Sequence, residues 1–436
     1  MQEQLLILGG RIMDPSQGLD MVGDIFIADG AIKMIGDVRQ AGDPGHLQVF
    51  NARGMIVCPG FIDLHCHLRE PGYEDKETIS TGTRAAARGG FTTVCAMANT
   101  QPPIDNAEAV ELIKRKASLD GAIRVLPIGC ITKGRKGQHL VEVGDLEFAG
   151  VVALSDDGDP VRDPNLMREA LEYGHTFGLP IIDHCEDTAA SAGGMMNDGA
   201  LASRLGLKGI PAAAEERIVA RDIMLAQETG AHLHIAHVST AGSVELIRRA
   251  KEKGLHVTAE VTPHHLTLTE KNVLLEDGET LDTNAKVNPP LRTGQDVKAL
   301  IAGLKAGVID AIATDHAPHT DADKNCAFEE AACGISGLET AFASAISLYH
   351  RGDLELKTII SKLTVEPANV IQQRELGTLV PGAPADITVF DPNAQWVVDP
   401  SAFISKGKNT PLAGIILKGR VMATIYGGRF RYRIML

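Results

Sequence analysis

No apolar run in this 436-residue chain approaches the roughly 18 residues that a membrane-spanning helix needs. The opening residues, MQEQLLILGG, lack a basic start, a long apolar stretch and a small-residue cleavage site, so no secretory signal is expected. Positive charge is not in excess: Lys and Arg total 42 against 56 Asp and Glu, a formal net charge of −14. That balance argues against nucleic acid or an anionic membrane as partner, although one local basic residue is enough for a small anionic ligand. The seven cysteines are scattered, with no C-x-x-C pair, and read as the reduced thiols of a cytoplasmic protein. No G-x-G-x-x-G follows a candidate strand, so a dinucleotide-binding fold has no direct support.

What is present is the balance of a globular protein, 44% hydrophobic and 22% charged. The length fits one large barrel-type domain with an appendage, or two to three smaller domains. Through the middle, short apolar runs rich in Val, Ile and Thr recur at 56–65, 92–99, 123–131, 150–158, 180–187, 232–239, 256–264 and 307–316. Between them lie segments of helical spacing, among them 76–90, 106–119, 164–178, 215–230 and 242–254. The last three end at Gly, a usual helix stop. Eight buried strands with helical crossovers predict an α/β fold, a parallel (β/α)₈ TIM barrel, rather than an open doubly wound sheet. The ends differ. Residues 1–55 and 378–436 read as short alternating strands, each too poor in apolar surface to stand alone. Packed together they would form one small β-sandwich beside a barrel spanning 56–377.

Reactive side chains collect at the ends of these runs. In DLHCHLREPG, residues 63–72, His65 and His67 share one direction of a strand and Cys66 faces the other way. The fourth run ends in Asp156 and Asp157, the fifth in His184, the sixth in His237 and the eighth in Asp315. Any one of these alone fits a turn or a helix cap. A barrel, however, aims all its strand ends at one pocket. Four histidines with aspartates around one mouth suit a divalent metal, zinc first, and exceed what one tetrahedral ion uses. Two ions sharing a carboxylate would use them all. Arg69 lies past His67 at the same mouth, and its planar fork suits a substrate carboxylate. The ordinary alternative is an ion pair with Glu70 or Glu74. His264 and His265 read as pocket wall, and His232 and His234 as satisfied core histidines. Asp63 reads as a deeper inward residue that orients a ligand histidine.

DLHCHLREPG, ANTQPP, SDDG, HCED, AHVST, VTPHHL, NPPLR and ATDHAPH occur in this order. Together they make the chain similar to the longer bacterial dihydroorotases of the amidohydrolase superfamily, over essentially its whole length. The resemblance implies zinc-dependent, reversible hydrolysis of the cyclic amide of dihydroorotate to N-carbamoyl-L-aspartate in pyrimidine biosynthesis. It implies two zinc ions, one held by His65, His67 and Asp315 and the other by His184 and His237. Asp157, rather than its neighbour Asp156, would bridge them. Related hydantoinases and allantoinases generally bridge with a carboxylated lysine on the fourth strand, and GVVALSDDG has no lysine. Asp315 would also move the proton from the attacking water to the leaving ring nitrogen. The resemblance assigns substrate contacts to Arg69, Asn99, Asn288, His319 and the backbone of Gly334. At the last position Cys333 stands where relatives often have an aromatic residue. Some dihydroorotase-like chains lack the ligands and act as structural partners of aspartate transcarbamoylase. This chain keeps all six candidates, so association with aspartate transcarbamoylase, or into a homo-oligomer, is expected only alongside activity. The long charged stretch TDADKNCAFEEAACG, 320–334, reads as a lid.

Overall fold

The computed structural model describes residues 4–38 and 47–434. Residues 1–3, 39–46 and 435–436 of the expected terminal unit lie outside the described residues. Parallel strands Phe61–Cys66, Phe91–Ala96 and Arg124–Pro127 pair in sequence. Ile181–Asp183, Leu233–Ile235, Val257–Val261 and Ala311–Ile312 do the same. Residues 152–155 join the two groups: Leu154 bridges Gly129 on one side and Ile181 on the other, and the Val152 amide donates to the Pro127 carbonyl. Cys66 bridges His316, and the His67 amide donates to the His316 carbonyl at 2.9 Å, which closes the ring. The result is a TIM barrel whose fourth strand is short and irregular. Just past it, the Asp156 carboxylate accepts from the amides of Ile131 and Thr132 in the loop that follows the third strand.

Between the strands run helices whose sequences carry their own signals. Ile79–Arg88 starts at a capping box on Thr78. Pro164–Phe177 and Ala212–Thr229 stop at Gly178 and Gly230, both left-handed. The outward face of the strands packs on these helices, with Phe61, Ile181, Leu233 and Val257 in one core. A second apolar cluster, including Ile62, Met97, Ile182 and Ala236, takes the alternate residues.

The terminal strands form one eight-stranded sheet. Its order runs Arg429–Arg433, Ile416–Tyr426, Ile387–Val397, Ile56–Pro59, Gln4–Asp14, Leu19–Ala28 and Ala31–Gly36, with Leu47–Asn51 also on Gln4–Asp14. The sheet folds over a shared core of Ile7, Ile25, Val57, Ile387 and Ile425, and the Phe50 and Phe430 rings meet across it at 5.5 Å. The run 56–65, expected as one barrel strand, is therefore two: Ile56–Pro59 belongs to the sheet and Phe61–Cys66 to the barrel. The chain changes partner at Gly60, where a Cβ would lie 2.1 Å from Thr92 Oγ1. Sheet and barrel are joined by Phe61, Phe342 and Phe390, the first pair stacked at 5.1 Å between ring centroids and the second tilted at 4.5 Å. The segment after Ile387–Val397 also crosses onto the barrel mouth, where the Ser405 hydroxyl donates to Glu77 at 2.5 Å. Among the described residues no helix is long and apolar enough to cross a membrane.

Candidate functional site

The first barrel strand delivers two imidazoles to the mouth. Each ring is fixed from behind: His65 Nδ1 donates to Glu260 at 2.8 Å and His67 Nδ1 to Asn99 Oδ1 at 2.9 Å. The Nε2 atoms therefore face inward. His65 Nε2 lies 3.4 Å from Asp157 and 3.7 Å from Asp315; His67 Nε2 lies 3.6 and 3.2 Å from the same carboxylates. Cys66 is turned into the surrounding core, its thiol donating to the Cys95 carbonyl. From the far side, His184 Nδ1 and His237 Nε2 each come within 3.5 Å of Asp157 Oδ1. Asp157 thus touches all four imidazoles. Asp156 does not enter the cluster.

Arg69, His237 and Asp315 hold positive φ angles of 61°, 32° and 44°, a costly backbone state that tends to collect at functional sites. Burial opposes ionisation of Asp157, but the imidazoles of His65, His184 and His237 hold it well below the usual carboxylate range. Asp315 is held low in the same way, against burial, by His67 and His65. Burial would lower His184, yet Asp157 and Glu186 push it up to about 10. The cluster is therefore strongly cation-seeking. Two of its atoms, His65 Nε2 and Asp157 Oδ1, are buried without a hydrogen-bond partner and face each other. Donor atoms of His65, His67 and Asp315 lie within 4.8 Å of one another, as do those of His65, Asp157 and His237. This donor set of imidazole nitrogen and carboxylate oxygen fits divalent cations.

Above the cluster opens a cleft of about 680 Å³. Arg69 stands on its wall and makes neither expected ion pair. Glu70 takes Lys116 and the Ile79 amide, and Glu74 takes the Gly72 amide. The guanidinium is left beside His319, with Nη2 at 3.5 Å from its Nε2, and facing the cleft. Asn99, Asn288, His319 and Gly334 line the same cleft. Two of them are more committed to the protein than the sequence suggests. Asn288 donates to Glu186 at 2.9 Å. The Gly334 amide donates to the Lys286 carbonyl and its own carbonyl accepts from Asn409, so its backbone groups already have protein partners. The glycine itself is required, because a Cβ there would sit 2.8 Å from the Ala317 carbonyl oxygen.

A family model described as Dihydro-orotase-like matches residues 54–243, and one described as Amidohydrolase family matches residues 206–432. A protein of Pelotomaculum thermopropionicum named Dihydroorotase is 53% identical over 428 residues, 98% of each chain. Another of that name, from Syntrophus aciditrophicus, is 48% identical and covers 99% of each chain. The chain belongs to the dihydroorotase family. Its fold is shared more widely. The crystal structure of dihydropyrimidinase from Brevibacillus agri superimposes with a TM-score of 0.85 at 24% identity, covering 99% of this chain and 95% of that one. L-Hydantoinase from Arthrobacter aurescens gives 0.87 at 23%, covering 100% and 98%. Members of this enzyme family are amidohydrolases, and metal-dependent chemistry suits the cluster.

In this dihydroorotase-family chain, sequence reasoning overlooked three residues that build the site. Glu186 accepts from His184 Nε2 at 2.9 Å, and H-x-E in HCED repeats the alternation of H-x-H. Glu260, fully buried, is the one carboxylate in the strand run HVTAEV. Asn409 accepts from the His319 amide and donates to the carbonyls of Ala317 and Gly334. No local signal marks it, because it arrives from the terminal sheet. Three expectations change. Asp63 binds the amide and hydroxyl of Thr314 and the His65 amide, so it ties the first strand to the eighth and leaves ring orientation to Glu260. His232 is only partly satisfied, since its Nδ1 is buried without a partner. The 320–334 stretch forms a pinned wall: Lys324 donates to the carbonyls of Thr283, Lys286 and Ala332, and Lys286 to those of Phe328 and Glu329. His264 and His265 stay outside the cluster, with His265 holding the Pro289 carbonyl.

Proposed function

We propose that the chain hydrolyses and re-forms the cyclic amide of dihydroorotate, interconverting it with N-carbamoyl-L-aspartate, at a centre of two zinc ions. The observation that carries this reading is a guanidinium on the wall of a cleft whose floor is a buried His/Asp cluster. Arg69 is the one Lys or Arg side chain among the residues lining that cleft. A ring amide over the cluster would set an attached carboxylate within its reach. His65, His67 and Asp315 would hold one ion, His184 and His237 the other, with Asp157 shared. When bound, the ions supply Lewis-acid polarisation of the amide carbonyl and a water of lowered pKa.

The protein does the rest. Arg69 takes the substrate carboxylate as a planar, permanently charged fork. Asn99 and His319 join Arg69 at that carboxylate, and Asn288 contacts the ring. Asp315, ionised and aimed at the centre, accepts a proton from the attacking water and returns it to the ring nitrogen as the C–N bond breaks. Run backwards, the same transfer closes carbamoyl-aspartate into the ring, the direction used in pyrimidine synthesis. The cleft lining contains no lysine, in keeping with an aspartate rather than a modified lysine between the ions. All seven cysteines are free thiols, which supports a cytoplasmic setting.

The test is a comparison of substrates. Purified chain with zinc should turn over dihydroorotate and carbamoyl-aspartate and leave hydantoin and allantoin largely untouched. Turnover of only the latter two would transfer the reading to another cyclic-amide hydrolase.

A further inference from the structure

A line of polar groups runs down the inside of the barrel, below the cluster, and the reaction leaves it unused. Glu260 is completely buried and receives two imidazoles, His65 Nδ1 on one oxygen at 2.8 Å and His234 Nε2 on the other at 3.2 Å. His234 Nδ1 is 2.8 Å from Thr258 Oγ1, and the same hydroxyl is 2.8 Å from His232 Nε2. His232 stacks on His256, ring centroids 3.9 Å apart, and His256 is exposed. His234 and Thr258 are register partners on adjacent strands, so the links sit in successive layers of one ladder. The line spans the barrel from its mouth to its opposite end.

With Glu260 as a carboxylate and His234 as a neutral imidazole, the protons on this line have one order. Each oxygen of Glu260 meets one ring nitrogen, His65 Nδ1 or His234 Nε2, the arrangement of a carboxylate between two donors. An ionised carboxylate only accepts, so His65 Nδ1 and His234 Nε2 both carry hydrogen. His234 Nδ1 is then bare and accepts from the Thr258 hydroxyl. The hydroxyl oxygen accepts from His232 Nε2, which leaves His232 Nδ1 bare. That atom is indeed buried without a partner. A carboxylate behind a ligand histidine fixes its tautomer and raises its basicity, and linked hydrogen bonds polarise one another.

We propose that Glu260, His234, Thr258 and His232 form one positioning chain that locks His65 in its Nδ1–H form and strengthens its Nε2 as a ligand for a divalent cation. The proposal rests on reading the cluster as a metal site, and its test separates the two. In full-length protein, zinc affinity is measured by competition with a chromophoric chelator for wild type, Glu260→Gln and Thr258→Val. The tautomers of His234 and His232 are read from histidine ¹⁵N shifts of the metal-free wild type. Gln offers one acceptor and one donor, so one imidazole must reverse; zinc affinity should fall about 10- to 100-fold. Thr258→Val touches neither His65 nor Glu260, yet should weaken zinc roughly threefold through lost polarisation. His234 and His232 should both appear as Nε2–H forms. A His234 Nδ1–H form overturns the chain. So does a Thr258→Val variant with wild-type zinc affinity and only a lowered melting temperature, since the deeper links would then be structural. Wild-type protein that binds no zinc would sink the metal-site reading, and the His234 tautomer would still decide whether the chain exists.

Discussion

His65 and His67 each give their Nδ1 to a fixed acceptor, Glu260 or Asn99, and turn Nε2 into the cluster. His184 and His237 instead turn their inward nitrogens toward each other, His184 Nδ1 lying 2.9 Å from His237 Nε2. At that distance one nitrogen must donate to the other, so one of the two lone pairs is covered by a proton. The first pair has no mutual hydrogen bond to break. The second must lose its own before both rings can turn to a cation. We therefore expect two unequal binding steps, with the tighter at His65, His67 and Asp315. A chelator should empty the His184–His237 half first.

The largest effect should come from removing what the halves share. Asp157 faces all four imidazoles, and Asp157→Ala should release most bound zinc and cut turnover by about three orders of magnitude, roughly 4 kcal/mol of barrier. Elemental analysis and steady-state rates check it; full activity with two zinc ions would remove Asp157 from the centre. Next is Asp315→Asn, which keeps an oxygen facing His67 but cannot carry a proton. Turnover should fall about 10²- to 10⁴-fold while zinc content drops much less. Loss of both in step would make Asp315 a ligand only. Arg69→Gln lies outside both halves. It should raise KM for dihydroorotate about 10- to 100-fold with zinc binding intact, and Arg69→Lys should recover part of it. Unchanged KM would place the substrate carboxylate elsewhere.

The same contrast separates what was legible in the sequence from what was not. Strand alternation placed His65 and His67 inward and Cys66 outward, because the period of two holds within one strand. It could not choose between Asp156 and Asp157, since a turn has no fixed period. The structure puts Asp156 on the Ile131 and Thr132 amides and Asp157 in the cluster. The eight apolar runs gave the barrel. Two of them misled in detail, at Gly60, where the chain passes from sheet to barrel tight against the Thr92 side chain, and at Leu154, where the fourth strand shrinks to isolated bridges. The supports Glu260 and Asn409 were hidden for another reason. They reach their partners across the barrel or from the terminal sheet, and no local pattern encodes such distances.

The smallest expected effect is also the sharpest test of unequal halves. Asn99 backs His67 as a neutral acceptor, and Glu186 backs His184 as a carboxylate. Burial opposes the charge on Glu186, yet His184 keeps its carboxyl down at about 2. Asn99→Ala deletes the acceptor behind a ring that is otherwise ready to bind. Glu186→Gln keeps an acceptor but removes the charge that helps hold a proton on His184. Outer supports of this kind are worth about 10-fold in metal affinity each. In a zinc titration read by calorimetry, Asn99→Ala should weaken the tight step and Glu186→Gln should alter the weak one. If both substitutions move the same step, the cluster fills as one unit and the difference between its histidine pairs has no thermodynamic consequence.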